Sequence, residues 1–75
     1  MSLPPELPCR RVEKALNHFG YYFSHQKGSH RTLVKSGSNY HITTVAPTMQ
    51  RVTLVRSLKK CGIDVAEFTS TYNDS

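Results

Sequence analysis

The sequence predicts a small α+β domain in which helices cover one face of a three-stranded antiparallel sheet. Two observations lead to this prediction. Amphipathic helical patterns lie near both ends of the chain, and three strand-like segments separated by short turns lie between them. Short connections make neighbouring strands antiparallel. Because the sheet has no other source of core, both main helices are expected on the same face, which leaves the other face open.

The first helix is predicted to start near Cys9, where apolar residues begin to recur at helical spacing. Pro8 suits the first turn of a helix, because its missing N–H costs nothing there. Gly20 is expected to end the helix, since glycine is favoured just beyond a helix C-terminus. The apolar stripe is formed by Cys9, Val12, Leu16 and Phe19, with Ala15 beside it.

Three strands are predicted over residues 21–26, 30–35 and 40–45, which are rich in aromatic and β-branched residues. The first alternates, so that Tyr21, Phe23 and His25 are expected on one face of the sheet. Residues 27–29 and 36–39 contain glycine and serine and predict the two turns. The predicted order continues with two helices.

The later helices are predicted over about Thr53–Cys61 and from Asp64 onward. Gly62 ends the first of them. Asp64 and Glu67 fit a capping box, with the aspartate as N-cap, and the apolar stripe that follows is Val65, Phe68 and Tyr72. We expect one domain over residues 8–72, preceded by a mobile Pro-rich segment, 1–7, and followed by a tail, 73–75.

Size and charge indicate a surface site and a polyanionic partner. A 75-residue chain buries only about 60% of its unfolded surface, so a deep catalytic cleft is not expected. The net charge is +5, but residues 1–62 carry about +8 and residues 63–75 about −3. A basic body favours nucleic acid. A basic surface without any partner is the simpler alternative.

The remaining composition argues for the cytoplasm. The chain has two cysteines, whereas small secreted domains usually carry several bridges. No apolar run approaches the ~20 residues that span a bilayer. The first residues, Met1–Pro5, lack the basic and apolar regions of a signal peptide. We therefore expect a cytoplasmic protein that is not bound to a membrane.

His30 is the main candidate for chemistry. It follows Lys27-Gly28-Ser29, a flexible basic turn, and histidine is the side chain that titrates nearest neutral pH. Lys27 and Arg31 could hold a phosphate, and the N–H groups of Gly28 and Ser29 could form a small anion nest. A neutral imidazole there could deprotonate a ribose 2′-hydroxyl, a group that RNA has and DNA lacks. Such a reaction needs no metal or other cofactor. The alternative is an ordinary surface histidine.

Three further interpretations stay open. Four histidines could ligate a metal, but no two have the i, i+4 helical spacing. The two cysteines lie on apolar stripes, where a buried structural thiol is more usual than a nucleophile. A basic helical set could follow a phosphate backbone or be a solvated helix face. The histidines are His18, His25, His30 and His41, the cysteines are Cys9 and Cys61, and the basic set is Arg51, Arg56, Lys59 and Lys60.

Four segments in the right order resemble the HicA mRNA interferase toxins, also called YcfA-like proteins. They span about residues 8–68. The first segment is similar to the family's first helix and the residues that follow it, and the second to the family's central motif. The third is similar to its last main helix and the fourth to its closing turn. The segments are 12–16 with Phe19-Gly20-Tyr21, Gln26-Lys27-Gly28-Ser29-His30, 53–63 and 65–68.

The resemblance implies a fold like that of double-stranded-RNA-binding domains, with α-β-β-β-α order. It implies a toxin of a type II toxin–antitoxin module that cleaves mRNA and is neutralised by a HicB-type antitoxin. The family's catalytic histidine falls on His30. From the chemistry of the turn and of the basic helix, we expect Lys27 and Arg31 to position the phosphate, with Arg51, Arg56 and Lys59 as a weaker outer set.

Departures from the family pattern lie around the motif rather than at His30. His25 stands where the family usually has arginine, Val52 stands where glycine is common, and residues 45–48 lack the family's Pro-x-His. The functional alternatives are a non-catalytic RNA-binding module and a protein that only docks an acidic partner.

Overall fold

A computed structural model describes residues 3–74. Three helices and five strands make up this part of the chain. In order they are β1 (Glu6–Pro8), α1 (Cys9–Asn17), β2 (Tyr21–Lys27), β3 (His30–Lys35), β4 (His41–Val45), β5 (Thr48–Gln50), α2 (Arg51–Lys60) and α3 (Val65–Asn73).

The predicted fold class is confirmed. Strands β2, β3 and β4 form an antiparallel sheet in that order, with β3 in the centre. Leu33 and Ile42 lie opposite each other on β3 and β4, and both are buried in the core. All three helices contribute to the same core, so they cover the face that carries these two residues. The helical contributions are Val12, Ala15 and Leu16 from α1, Leu54 and Leu58 from α2, and Phe68 and Tyr72 from α3.

Residues near the chain start differ from the prediction of a mobile segment. Glu6–Pro8 pairs antiparallel with Thr48–Gln50, so that Leu7 lies opposite Met49. Leu3, Leu7 and Met49 are buried in the core. These apolar side chains are what hold the segment in place. Residues 1 and 2 of the predicted segment, and residue 75 of the predicted tail, lie outside the described residues.

The helix ends follow their predicted signals closely. Helix α2 begins at Arg51, two residues before the predicted start, and Gly62 beyond it has a φ of +76°. The Asp64 carboxylate accepts a hydrogen bond from the Glu67 N–H at 3.1 Å, which confirms the predicted cap of α3. Helix α3 runs to Asn73, the first residue of the predicted tail.

Within residues 3–74, no helix is both long enough and apolar enough to cross a membrane.

Candidate active site

The sheet face away from the helices is the open face, and it carries three rows of side chains. Residues that pair across antiparallel strands project to the same side, so the register defines each row. The outer residues of the rows are exposed on β2 and range from exposed to half-buried on β4. The rows are Lys27–His30–Val45, His25–Thr32–Thr43 and Tyr22–Val34–His41.

His30 is the first residue of the central strand and lies fully on this surface. It is exposed, and its direct neighbours are Lys27 on β2 and Val45 on β4. Directly opposed residues have Cβ atoms about 4.5–5.5 Å apart, so the Lys27 ammonium can reach a group bound at His30. The imidazole and the ammonium can therefore meet one phosphate together.

Two carbonyl groups in the turn before His30 accept hydrogen bonds that fix its position. The Ala46 N–H donates to the Ser29 carbonyl at 2.8 Å, which ties the turn to the segment after β4. The Gln26 side-chain N–H donates to the Gly28 carbonyl, also at 2.8 Å. Gly28 has a φ of +59°, a value that L side chains rarely adopt and that this tight two-residue turn requires.

A brace on the helix-covered side connects this turn to α1. Arg31 donates from Nη1 to Gln26 Oε1 at 2.9 Å. Its Nε and Nη2 donate to the two Glu13 carboxylate oxygens at 2.6 and 3.1 Å. The guanidinium also lies 4.2 Å from the centre of the Phe23 ring. The brace Glu13–Arg31–Gln26 therefore orients the hairpin that carries His30 without touching the open face.

The largely buried Glu13 carboxylate accepts hydrogen bonds from three residues. Cys9 Sγ and Thr44 Oγ1 both donate to its Oε2 at 3.0 Å, in addition to Arg31. Burial pushes the pKa of this carboxyl up, but the bonds from Arg31, Cys9 and Thr44 and the charge of Arg31 outweigh it, so the pKa is lowered overall. Burial and the neighbouring carboxylate raise the pKa of the Cys9 thiol, which disfavours the thiolate and a nucleophilic role.

The predicted RNA-binding residues do not form one cluster. Lys27 shares the open face with His30, whereas Arg31 lies on the opposite side and is neutralised by Glu13. Arg51 at the start of α2 donates from Nη1 to the Leu3 carbonyl at 2.8 Å. Arg56 and Lys59 are exposed on α2, a helix that packs on the covered face.

The expected face of His25 was wrong, and a β-bulge is the reason. Phe23 lies opposite Leu33 but His25 lies opposite Thr32, so Ser24 is an extra residue in β2. An extra residue reverses the alternation of the strand. His25 therefore leaves the side of Tyr21 and Phe23 and joins His30 on the open face. Within residues 3–74, no three His, Cys, Asp or Glu side chains form a group that could hold a metal ion.

Comparison with known protein families gives a match. The family model for the HicA toxin of bacterial toxin–antitoxin systems matches residues 9–63, more than half of the chain. The chain belongs to the HicA toxin family. No curated protein and no solved structure matches significantly.

The HicA match covers α1, the whole three-stranded sheet and α2. It thus contains His30 and each member of the brace that holds its hairpin. Membership makes the chain a toxin of a toxin–antitoxin system and implies an antitoxin as partner.

Replacing Glu13 with glutamine is expected to destabilise this HicA protein in a pH-dependent way. The folded-state pKa of Glu13 is lowered, so its stabilising effect is fully present above the unfolded value of about 4.3 and is lost as the pH falls through the folded pKa. At pH 7 the variant should lose about 1.5–3 kcal/mol of unfolding free energy, the range for hydrogen bonds to a charged group. Urea unfolding at pH 7 and at pH 3 should show the difference shrinking in acid.

The exposed carboxylate of Glu6 supplies the matched control. Glu6→Gln should change the unfolding free energy by less than ~0.5 kcal/mol at either pH. If Glu13→Gln loses the same unfolding free energy at both pH values, Glu13 stabilises the fold through its packing and not through its charge.

Proposed function

We propose that this toxin is an endoribonuclease that cleaves mRNA without a metal ion and uses His30 as its catalytic residue. The observation that carries the proposal is the pairing of an exposed imidazole with an ammonium, His30 with Lys27, at the end of an open sheet face. An RNA strand can cross such a surface. The proposed compartment is the cytoplasm, where mRNA is available.

The proposed reaction is attack by a ribose 2′-oxygen on the adjacent phosphorus. Neutral His30 accepts the proton of the 2′-hydroxyl as general base. Lys27 stabilises the negative charge that builds up on the phosphate oxygens, and the Gly28 and Ser29 N–H groups assist as a small anion nest. The P–O5′ bond breaks and the departing 5′-oxygen takes up a proton, so the products are a 2′,3′-cyclic phosphate and a free 5′-hydroxyl. No metal or other cofactor takes part.

The proposed RNA contacts centre on Lys27, because it stands on the same face as His30. Arg56 and Lys59 form an outer set on α2 that can contact a longer RNA through its phosphates. Arg31 and Arg51 stay in the proposed set, but each already donates hydrogen bonds within the protein, Arg31 to Glu13 and Arg51 to Leu3. We propose a HicB-type antitoxin as the inhibitor.

The substrate chemistry gives the direct test. The purified toxin should cleave an RNA oligonucleotide and should leave its fully 2′-O-methylated counterpart intact, since methylation removes the nucleophile. Both oligonucleotides should bind in a gel-shift assay, and EDTA should leave the cleavage rate unchanged.

Each contrary result has a distinct meaning. Cleavage of the methylated strand would exclude the 2′-hydroxyl mechanism, and loss of activity in EDTA would point to a metal. Salt-dependent binding with no product from either strand would favour the non-catalytic RNA-binding module.

A further inference from the structure

The bulge at Ser24 brings a second imidazole close to His30. His25 and His30 occupy adjacent rows of the open face and are diagonal neighbours across β2 and β3. The pairing is regular from His25 to Lys27, so the diagonal Cα–Cα distance is about 7–8 Å. Both side chains are exposed, and both can therefore reach a ligand lying on the sheet.

Lys27 completes a triangle with the two imidazoles. It lies directly opposite His30 and two residues beyond His25 on the same face. Among the open-face side chains given by the register, Lys27, His30 and Tyr22 are the titratable neighbours of His25, and none of them is a carboxylate. The Nδ1 of His25 lies 3.3 Å from Ser24 Oγ, which engages one ring nitrogen and leaves Nε2 for a substrate.

The geometry points to His25 as the general acid of the cleavage reaction, an inference that rests on the proposed function. In-line displacement puts the attacking and the leaving oxygen on opposite sides of phosphorus. Each oxygen then needs its own proton-transfer group within about 2.6–3.2 Å, and one imidazole cannot serve both in a single step. Two imidazoles in adjacent rows can lie on either side of one phosphate.

The step balances with these two groups alone. His30 takes the proton from the 2′-hydroxyl as the O2′–P bond forms. The P–O5′ bond breaks, and protonated His25 gives its proton to the departing 5′-oxygen. The protein ends with His30 protonated and His25 neutral, and proton exchange with water restores the starting state.

The other histidines do not fit this role. His41 lies opposite Val34, four residues along β3 from His30. At a rise of about 3.3 Å per residue the rows are about 13 Å apart, too far to share one phosphate with His30. His18 is the C-cap residue of α1 and belongs to the helical layer.

A change of leaving group tests the assignment. In RNA with a sulfur in place of the bridging 5′-oxygen, the thiolate departs without receiving a proton, so a general acid is not needed. His25→Ala should cleave normal RNA at least about a hundredfold more slowly than wild type. On the 5′-thio substrate its rate should return close to wild type, and its pH–rate profile on normal RNA should lose the alkaline limb.

Two controls separate the possible outcomes. His41→Ala, an exposed histidine on the same face, should behave as wild type on both substrates, and His30→Ala should stay slow on both. His25→Gln should repeat the result of His25→Ala, with unchanged thermal unfolding. If His25→Ala cleaves both substrates equally slowly, or cleaves both at the wild-type rate, His25 is not the general acid, and the proposed function still stands. A wild-type protein that cleaves neither substrate overturns the proposed function and this inference with it.

Discussion

Replacing His30 with alanine is expected to lower the rate of RNA cleavage by at least about a hundredfold, because proton transfer by a positioned side chain contributes about 10²–10⁴. The lower cleavage rate should come from the missing imidazole and not from a less stable fold. His30 is exposed on the open face, so its removal should change the unfolding free energy by less than ~0.5 kcal/mol. Initial cleavage rates, measured at equal concentrations of folded protein, check the prediction.

Growth arrest on induction should disappear with the same substitution. His41→Ala is the matched control, since it removes an exposed imidazole from the same face, and it should still arrest growth. Added imidazole should partly restore cleavage by His30→Ala, because the surface position is open to solvent. Undiminished cleavage by His30→Ala would remove His30 from the mechanism.

Replacing Leu7 with alanine is expected to cost about 2–5 kcal/mol of unfolding free energy, the range for large-to-small changes in a core. Leu7 is fully buried and lies opposite Met49 in the pairing of β1 with β5. Small domains have total stabilities near 5–15 kcal/mol, so the loss is a large share of the whole. Urea unfolding followed by circular dichroism measures it.

Glu6 offers a control within the same strand, because its side chain is exposed. Glu6→Ala should shift the unfolding free energy by less than ~0.5 kcal/mol. If Leu7→Ala is as mild as Glu6→Ala, the first strand is not part of the cooperatively folded unit.

Local signals predicted most of the fold. The turns at Gly28 and Gly37, the cap at Asp64 and the helical spacing of Val12 and Leu16 each depend on neighbouring residues, which a sequence displays directly. The first strand gave no such signal, since a three-residue segment that follows Pro5 and ends in Pro8 has no readable alternation. Its position depends on burying Leu7 in the core, and nothing local encodes that contact.

The sequence indicates a central residue for the candidate site but not the contacts that surround it. The turn chemistry pointed to His30, yet the ion pair of Arg31 with Glu13 joins residues 18 positions apart. No short-range pattern says which residue of a helix will meet which residue of a strand. The Ser24 bulge was equally hidden, because the alternation of Tyr21, Phe23 and His25 is what an unbroken strand would show.

The two faces of the β2–β4 sheet place different constraints on sequence change. Leu33 and Ile42 on the covered face hold the core, and substitutions there carry the cost of a cavity or a clash. Exposed open-face residues such as Tyr22 and Val34 can change at little cost in stability. Selection can therefore alter the side chains of the open face while the scaffold beneath stays the same.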